Sequence, residues 1–322
     1  VGVRGGIMKK LVSIFALAAA LGACETAATT SSESLTASAP APAAAPAAWK
    51  AKRGPDGVHP DLNGVWQVLN TANYNIEAHA AQSALQLRPG PYVPVPDAGV
   101  VALGAIGAVP AGIGIVQGDG KIPYTADALA LRDENRAKAV ENDPEVKCYL
   151  PGIPRANYMD KPFQIFHSDK AFFFAYEYAG AVRNVFLADP GEAPVDSWMG
   201  QSYGKWDGDT FVIEVTGLLP DTWLDRSGNL HGSTTKVTER WTPTSDTTMR
   251  YEATIEDEEV YTKPWKIAFN LYKRVGEDAQ LQQFKCVEFV EELMYGHLRK
   301  NPLPGPAAER AKREAEERAK EQ

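Results

Sequence analysis

The dominant pattern along the chain is alternation with a period of two. In Thr210–Thr216 the residues Phe211, Ile213 and Val215 fall on one face and Val212, Glu214 and Thr216 on the other. That is the signature of a strand with one buried side. Asp207-Gly208-Asp209 just before it supplies turn chemistry, so 203–207 and 210–216 are predicted as a hairpin. The same reading predicts strands over 64–69, 162–168, 171–178, 183–188, 234–242, 247–256, 265–273 and 281–288. About ten short strands with turn signals between them indicate a barrel or a sandwich. No repeat of fixed period runs through them, which argues against a propeller.

The expected fold is therefore mostly β: an antiparallel, lipocalin-like barrel of about 8–10 strands with one or two peripheral helices. Residues 125–142 mix helix formers with both signs of charge and predict a surface helix. Residues 307–322 hold five acidic and five basic side chains among alanines, which fits a solvated helix or a frayed tail. Residues 83–120 are nearly uncharged, but their glycines and prolines make poor helix, so they are read as a loop or flap over a mouth.

The N-terminus has a different character. Met8 is followed by Lys9 and Lys10, an apolar run from Leu11 to Ala23, and Cys24. The run is short for a membrane span and has the layout of a signal peptide, with residues 1–7 read as upstream of the true start. Leu21-Gly22-Ala23-Cys24 resembles the lipobox of bacterial lipoproteins, which implies cleavage before Cys24 and lipidation of its sulfur. Glu25, by resemblance to lipoprotein sorting rules, favours the outer membrane, facing the periplasm of a bacterial envelope. Residues 24–52 are rich in Ala, Pro, Ser and Thr and bury too little surface to offset chain entropy, so they read as a tether. The barrel-like domain is placed at 53–300 and the charged tail at 301–322.

Charge narrows the partners. Removing residues 1–23 takes away three of the 33 basic residues and none of the 41 acidic ones, so the remainder is strongly acidic. That argues against nucleic acid as a partner and leaves the lipid anchor as the expected route to the membrane. With Cys24 lipidated, only Cys148 and Cys286 remain, and an exported pair is most simply a disulfide worth roughly 3 to 5 kcal/mol. A metal site is the competing reading, although neither cysteine has a ligand-spaced neighbour. His59, His79, His167, His231 and His297 also lack ligand spacing, and no phosphate-binding glycine motif occurs, so no metal and no cofactor are expected.

Several motifs resemble a large family of exported bacterial proteins of unknown function. They are Cys148-x-x-Pro-Gly-Ile-Pro-Arg155, Pro162-Phe163-Gln164-Ile165, Tyr176-Glu177-Tyr178, and Trp198-Met199-Gly200-x-Ser202-x-Gly204-x-Trp206-x-Gly208-Asp209-Thr210. Thr238-Glu239-Arg240 and Tyr261-Thr262-Lys263-Pro264-Trp265 complete the set, which spans about residues 60–297. Gln201 and Lys236 depart from the family pattern, which tends to carry an acidic residue and a histidine there. The resemblance implies export and paired cysteines, and it brings no established activity.

Candidate chemistry centres on three residues. Gly200-Gln201-Ser202-Tyr203-Gly204 spells Gly-x-Ser-x-Gly, with Asp225 and His231 following in the order of an α/β-hydrolase triad. That motif needs a strand before it and a helix after it; a hairpin follows here, and Asp225 and His231 are only six residues apart. Glu239 shares a strand face with Val237 and Trp241, so it points into the barrel, as Tyr251 does on the next strand. An enclosed carboxylate needs a partner or a raised pKa. Arg183, Arg240 after a register slip, or a tyrosine hydroxyl could serve, and a ligand or general-base role stays open beside a structural ion pair.

Glu177, Arg183, Trp198, Trp223 and Tyr251 are the candidate ligand-binding residues, with the tryptophans, Asp225 and His231 at the irregular barrel ends. The leading expectation is a lipid-anchored envelope protein holding a small apolar or aromatic molecule in a β-barrel. The alternatives are a cofactor-independent isomerase, lyase or hydrolase using Glu239 with His231 or Asp225, and a structural lipoprotein without ligand.

Overall fold

The computed structural model describes residues 49–82, 109–288, 290 and 306–320. The expected signal peptide, lipidated Cys24, most of the tether, most of the 83–120 loop and His297 lie outside the described residues.

Nine strands close into one barrel in chain order. They are β1 Gly64–Val68, β2 Phe163–His167, β3 Phe172–Tyr176, β4 Val182–Phe186, β5 Gln201–Asp207, β6 Thr210–Thr216, β7 Lys236–Pro243, β8 Thr248–Glu256 and β9 Trp265–Lys273. The expected hairpin is present, with Gly204 opposite Ile213 and Asp207 opposite Thr210. Eight of the nine seams are antiparallel, and β1 meets β9 to close the ring.

The expectation of a wholly antiparallel sheet is corrected at the β4–β5 seam, which is parallel, with Val185 opposite Ser202. The reason is one of parity. Strand direction must return to itself around a closed ring, so the number of antiparallel seams is even, and nine strands need at least one parallel seam. The 14-residue connection between β4 and β5 carries the chain back along the barrel, the length a parallel pairing requires.

Two further expectations change. Residues 281–288 form no strand; the segment is an irregular strap in which the Gln282 amide donates to Glu177 and Phe284 stacks on Tyr178. The predicted helix over 125–142 breaks at Lys138 into α1 Ala126–Ala137 and α2 Ala139–Asn142, with Thr125 capping α1 by accepting from the Ala128 amide. The C-terminal tail contains α3, Pro306–Lys320.

Inward positions are large and apolar: Phe163, Phe174, Phe211, Ile213, Trp241, Tyr251, Ile267 and Leu271 are at most 1 % exposed. At the end carrying the β5–β6 and β7–β8 turns, Phe172 stacks on Phe211 at 4.2 Å and Trp206 packs against both Phe211 and His59. Gly204 makes that packing possible, since a Cβ there would lie 2.5 Å from the Phe211 ring. The described chain starts at this end, where Trp49 donates to Asp246 and Arg53 pairs with Asp209.

The opposite end is closed by the Pro-Gly-Ile-Pro-Arg motif. It leads into a one-turn 3-10 helix, Arg155–Tyr158, whose four residues are all buried. Asn157 reaches from it into the lumen, and Tyr158 packs edge-on against Phe269. The barrel interior is thus a filled core, closed by aromatic packing at one end and by the Arg155–Tyr158 plug at the other.

Candidate functional site

Glu239 lies at the middle of the lumen with no exposed surface. One carboxylate oxygen accepts from Asn157 and from the Tyr251 hydroxyl, both at 2.7 Å; the other accepts from the Arg183 guanidinium. Arg183 also donates to the Ser202 hydroxyl at 2.7 Å and lies 5.1 Å from the centre of the Phe174 ring. Tyr176 donates to the Asn157 carbonyl, which orients that amide toward Glu239. Burial raises the Tyr251 phenol pKa, and the Glu239 charge raises it further, so it remains a donor. Three partners, from β4, β8 and the plug, therefore hold the carboxylate, while Tyr176 on β3 and Ser202 on β5 hold Asn157 and Arg183 in turn.

Asp225 is equally enclosed but does a different job. Its two oxygens accept from the backbone amides of Ile76, Ser227 and Asn229 and from the Asn229 side chain. The carboxylate ties the 225–229 turn to the segment that follows β1. Gly228 lets that turn approach α1: its φ is +80°, and a Cβ would sit 2.7 Å from the Arg136 amide nitrogen.

His231 has neither acid for a partner. Nδ1 is 3.0 Å from the Gly232 carbonyl and Nε2 is 2.6 Å from the Thr222 hydroxyl. The tautomer that satisfies both carries its proton on Nδ1, leaving Nε2 to accept from Thr222. Burial lowers the imidazole pKa, which keeps the ring neutral. Glu239, Asp225 and His231 thus occupy three separate hydrogen-bond networks with no partner in common.

The candidate ligand residues divide in the same way. Arg183 and Tyr251 belong to the luminal network. Glu177 lies outside the barrel beyond β3 and accepts from the strap. Trp198 leans on Tyr149 with ring centres 4.7 Å apart, and Trp223 is buried and bridged to Leu230. Both tryptophans are at the plugged end, and Trp223 is the one that borders open space.

That space is a cleft of about 480 Å³ outside the lumen. Trp223, Leu230, Val260, Tyr149 and Leu131 supply apolar wall, His231 contributes at one side, and Lys147 and Asp221 bring charge. Sequence reading missed Tyr149, Leu230, Val260 and α1 as parts of one surface, because they lie on three separate connections. Among the described residues no group of three or more His, Cys, Asp or Glu side chains is arranged to hold a metal.

Comparison with family models, curated proteins and solved structures finds no match.

A charge cluster supports the cleft wall from below. Arg226 donates to both oxygens of Glu145, and Arg155, itself fully buried, donates to one of them at 2.7 Å. Burial opposes ionisation of Glu145, but Arg226 and Arg155 outweigh it and hold the carboxyl at about 2. Cys148, three residues on, forms the disulfide with Cys286, with Cα atoms 5.5 Å apart. The expected pairing is present and fastens the strap to the loop that carries Lys147 and Tyr149.

Proposed function

We propose that this protein is a lipid-anchored envelope protein that binds a small apolar or aromatic molecule in the cleft at the plugged end of the barrel, and not in its lumen. The observation that carries this reading is the contrast between the two spaces. The lumen is filled by side chains, whereas the cleft offers about 480 Å³ beside Trp223, Tyr149, Leu230 and Val260. Aromatic and aliphatic walls combined with polar groups are the common form of a small-molecule site, and here Asn135, Asn142, Lys147, Asp221 and His231 share the lining with the apolar side chains. Lipocalin-like ligand capture inside the barrel would require displacing Trp241, Phe163 and Phe174 from a packed core.

The envelope assignment rests on the lipobox-like Leu21-Gly22-Ala23-Cys24, and a disulfide in the folded domain is compatible with an oxidising compartment. Of the residues considered for catalysis, His231 alone borders the cleft, with its ring nitrogens already engaged. Binding accounts for this arrangement better than turnover does.

Indole is a suitable probe. Titrating it into the purified domain while recording amide and indole N–H resonances should move signals from Tyr149, Trp223 and Leu230 and leave Trp241 in place. A titration that moves nothing, or that moves Trp241 first, overturns the cleft assignment. Mass spectrometry of Cys24-containing peptides from native envelopes tests the anchor, and an unmodified thiol would refute it.

A further inference from the structure

Lys147 and Asp221 are both part of the cleft lining, and neither has an ion pair or side-chain hydrogen bond among the described residues. Their neighbours differ in this respect. Glu145 holds two arginines, Arg155 lies within 3.7 Å of Asp143, and Asp225 accepts from four N–H groups. Lys147 is half-buried and Asp221 exposed, so the cleft carries two opposite charges that are free to meet a ligand. They are also separate from each other, since no salt bridge joins them.

We infer that the cleft selects a zwitterion with an apolar side chain: a free α-amino acid with an aromatic or aliphatic side chain. The inference rests on the cleft being the ligand site. Lys147, half-buried in the cleft wall, would receive the carboxylate; an unpaired ammonium next to apolar wall gains most from an acidic partner that arrives with the ligand. Asp221 would receive the ammonium group. The side chain would then lie along Trp223, Tyr149, Leu230 and Val260. A simple anion would be repelled by Asp221 and a simple amine by Lys147, so the two margins together favour a molecule bearing both charges. Asn135 and Asn142, at the α1–α2 side, can donate to the carboxylate or accept from the ammonium.

The test compares four probes by calorimetry on the folded domain: L-phenylalanine, 3-phenylpropionate, phenethylamine and indole. L-phenylalanine should bind at least about tenfold more tightly than either singly charged analogue, the factor that one charged hydrogen bond supplies. Lys147→Met should reduce L-phenylalanine to the affinity of phenethylamine, and Asp221→Asn should reduce it to that of 3-phenylpropionate. Melting temperatures of both variants should stay within a degree or two of the parent, because neither side chain has a partner to lose. If indole binds and L-phenylalanine binds no better than its analogues, or if the two substitutions leave its affinity unchanged, the zwitterion inference is overturned and the cleft stands. If none of the four binds, both readings are overturned.

Discussion

Arg183 on β4 donates to Glu239 on β7 across the centre of the barrel, 56 residues away in sequence and shielded from solvent on every side. The pair is held by the plug from one direction, through Asn157, and by β8 from another, through Tyr251. It joins strands that do not neighbour each other in the ring and so fixes how the walls face one another. Ligand capture has no part in that arrangement, because every polar atom of the carboxylate is already engaged.

Removing one partner should be much worse than removing both. Glu239→Gln keeps an acceptor for Tyr251 and Asn157 but leaves Arg183 charged and uncompensated, and a loss of about 3–5 kcal/mol is expected. The double replacement Arg183→Met with Glu239→Leu should recover most of that loss. Urea denaturation of the singles and the double gives the coupling directly, and equal losses in all three would contradict the account.

The lumen and the cleft should respond differently to truncation. Trp241→Ala empties a fully buried position at the centre of an aromatic cluster and should cost about 3–5 kcal/mol. Tyr149→Ala removes an exposed ring that leans on Trp198 and should cost under about 1 kcal/mol while weakening indole binding. Denaturation midpoints paired with the indole titration separate the two effects.

The disulfide should matter locally. Cys148→Ser with Cys286→Ser releases the strap from the 143–150 loop, whereas every barrel strand keeps its neighbours. A loss of about 2–5 kcal/mol is expected. Hydrogen exchange should rise at 143–150 and 276–288 and stay low at Ile213, Tyr251 and Ile267. Loss of protection across β6 to β9 would show that the strap is needed for the barrel itself.

Acid should destabilise the protein in two stages. The folded imidazole of His231 is held below its ordinary pKa by burial, so the unfolded chain takes up a proton that the folded one refuses. Stability therefore falls as pH drops through about 6.5. Glu145 is held at about 2 against an ordinary 4.5, so its stabilising contribution is full above 4.5 and is lost as pH falls toward 2. His231→Gln should reduce the upper stage, leaving the part that His167, also lowered by burial, supplies, and should leave the lower one. Melting temperatures recorded between pH 8 and pH 3 give both, and a parent profile flat between pH 7 and pH 5 would contradict the assignment of His231.

Local alternation was enough to find eight strands of the ring and, with Gly64–Val68, the ninth, because inward residues in a barrel repeat every second position. It also placed Glu239 inside, since Val237 and Trp241 flank it at that spacing. The false strand at 281–288 shows the limit of such evidence. Leu281, Phe284, Cys286 and Val287 supply apolar residues without strict alternation, and no partner edge remains in a closed ring, so the segment lies as a strap. Lys138 likewise offers no local signal strong enough to mark where the helix breaks.

The sequence by itself determined the class of fold, the inward face of β7 and β8, the enclosure of Glu239 and the pairing of two cysteines, because each depends on short-range periodicity or on composition. Only the tertiary structure decided that the lumen is plugged, that the parallel seam lies between β4 and β5, and that His231 is bonded to Thr222 instead of an acid. It also decided that Tyr149, Trp223, Leu230 and Val260 share one cleft. Those facts depend on how distant connections meet above a closed ring, and connections carry no periodicity from which their meeting can be read.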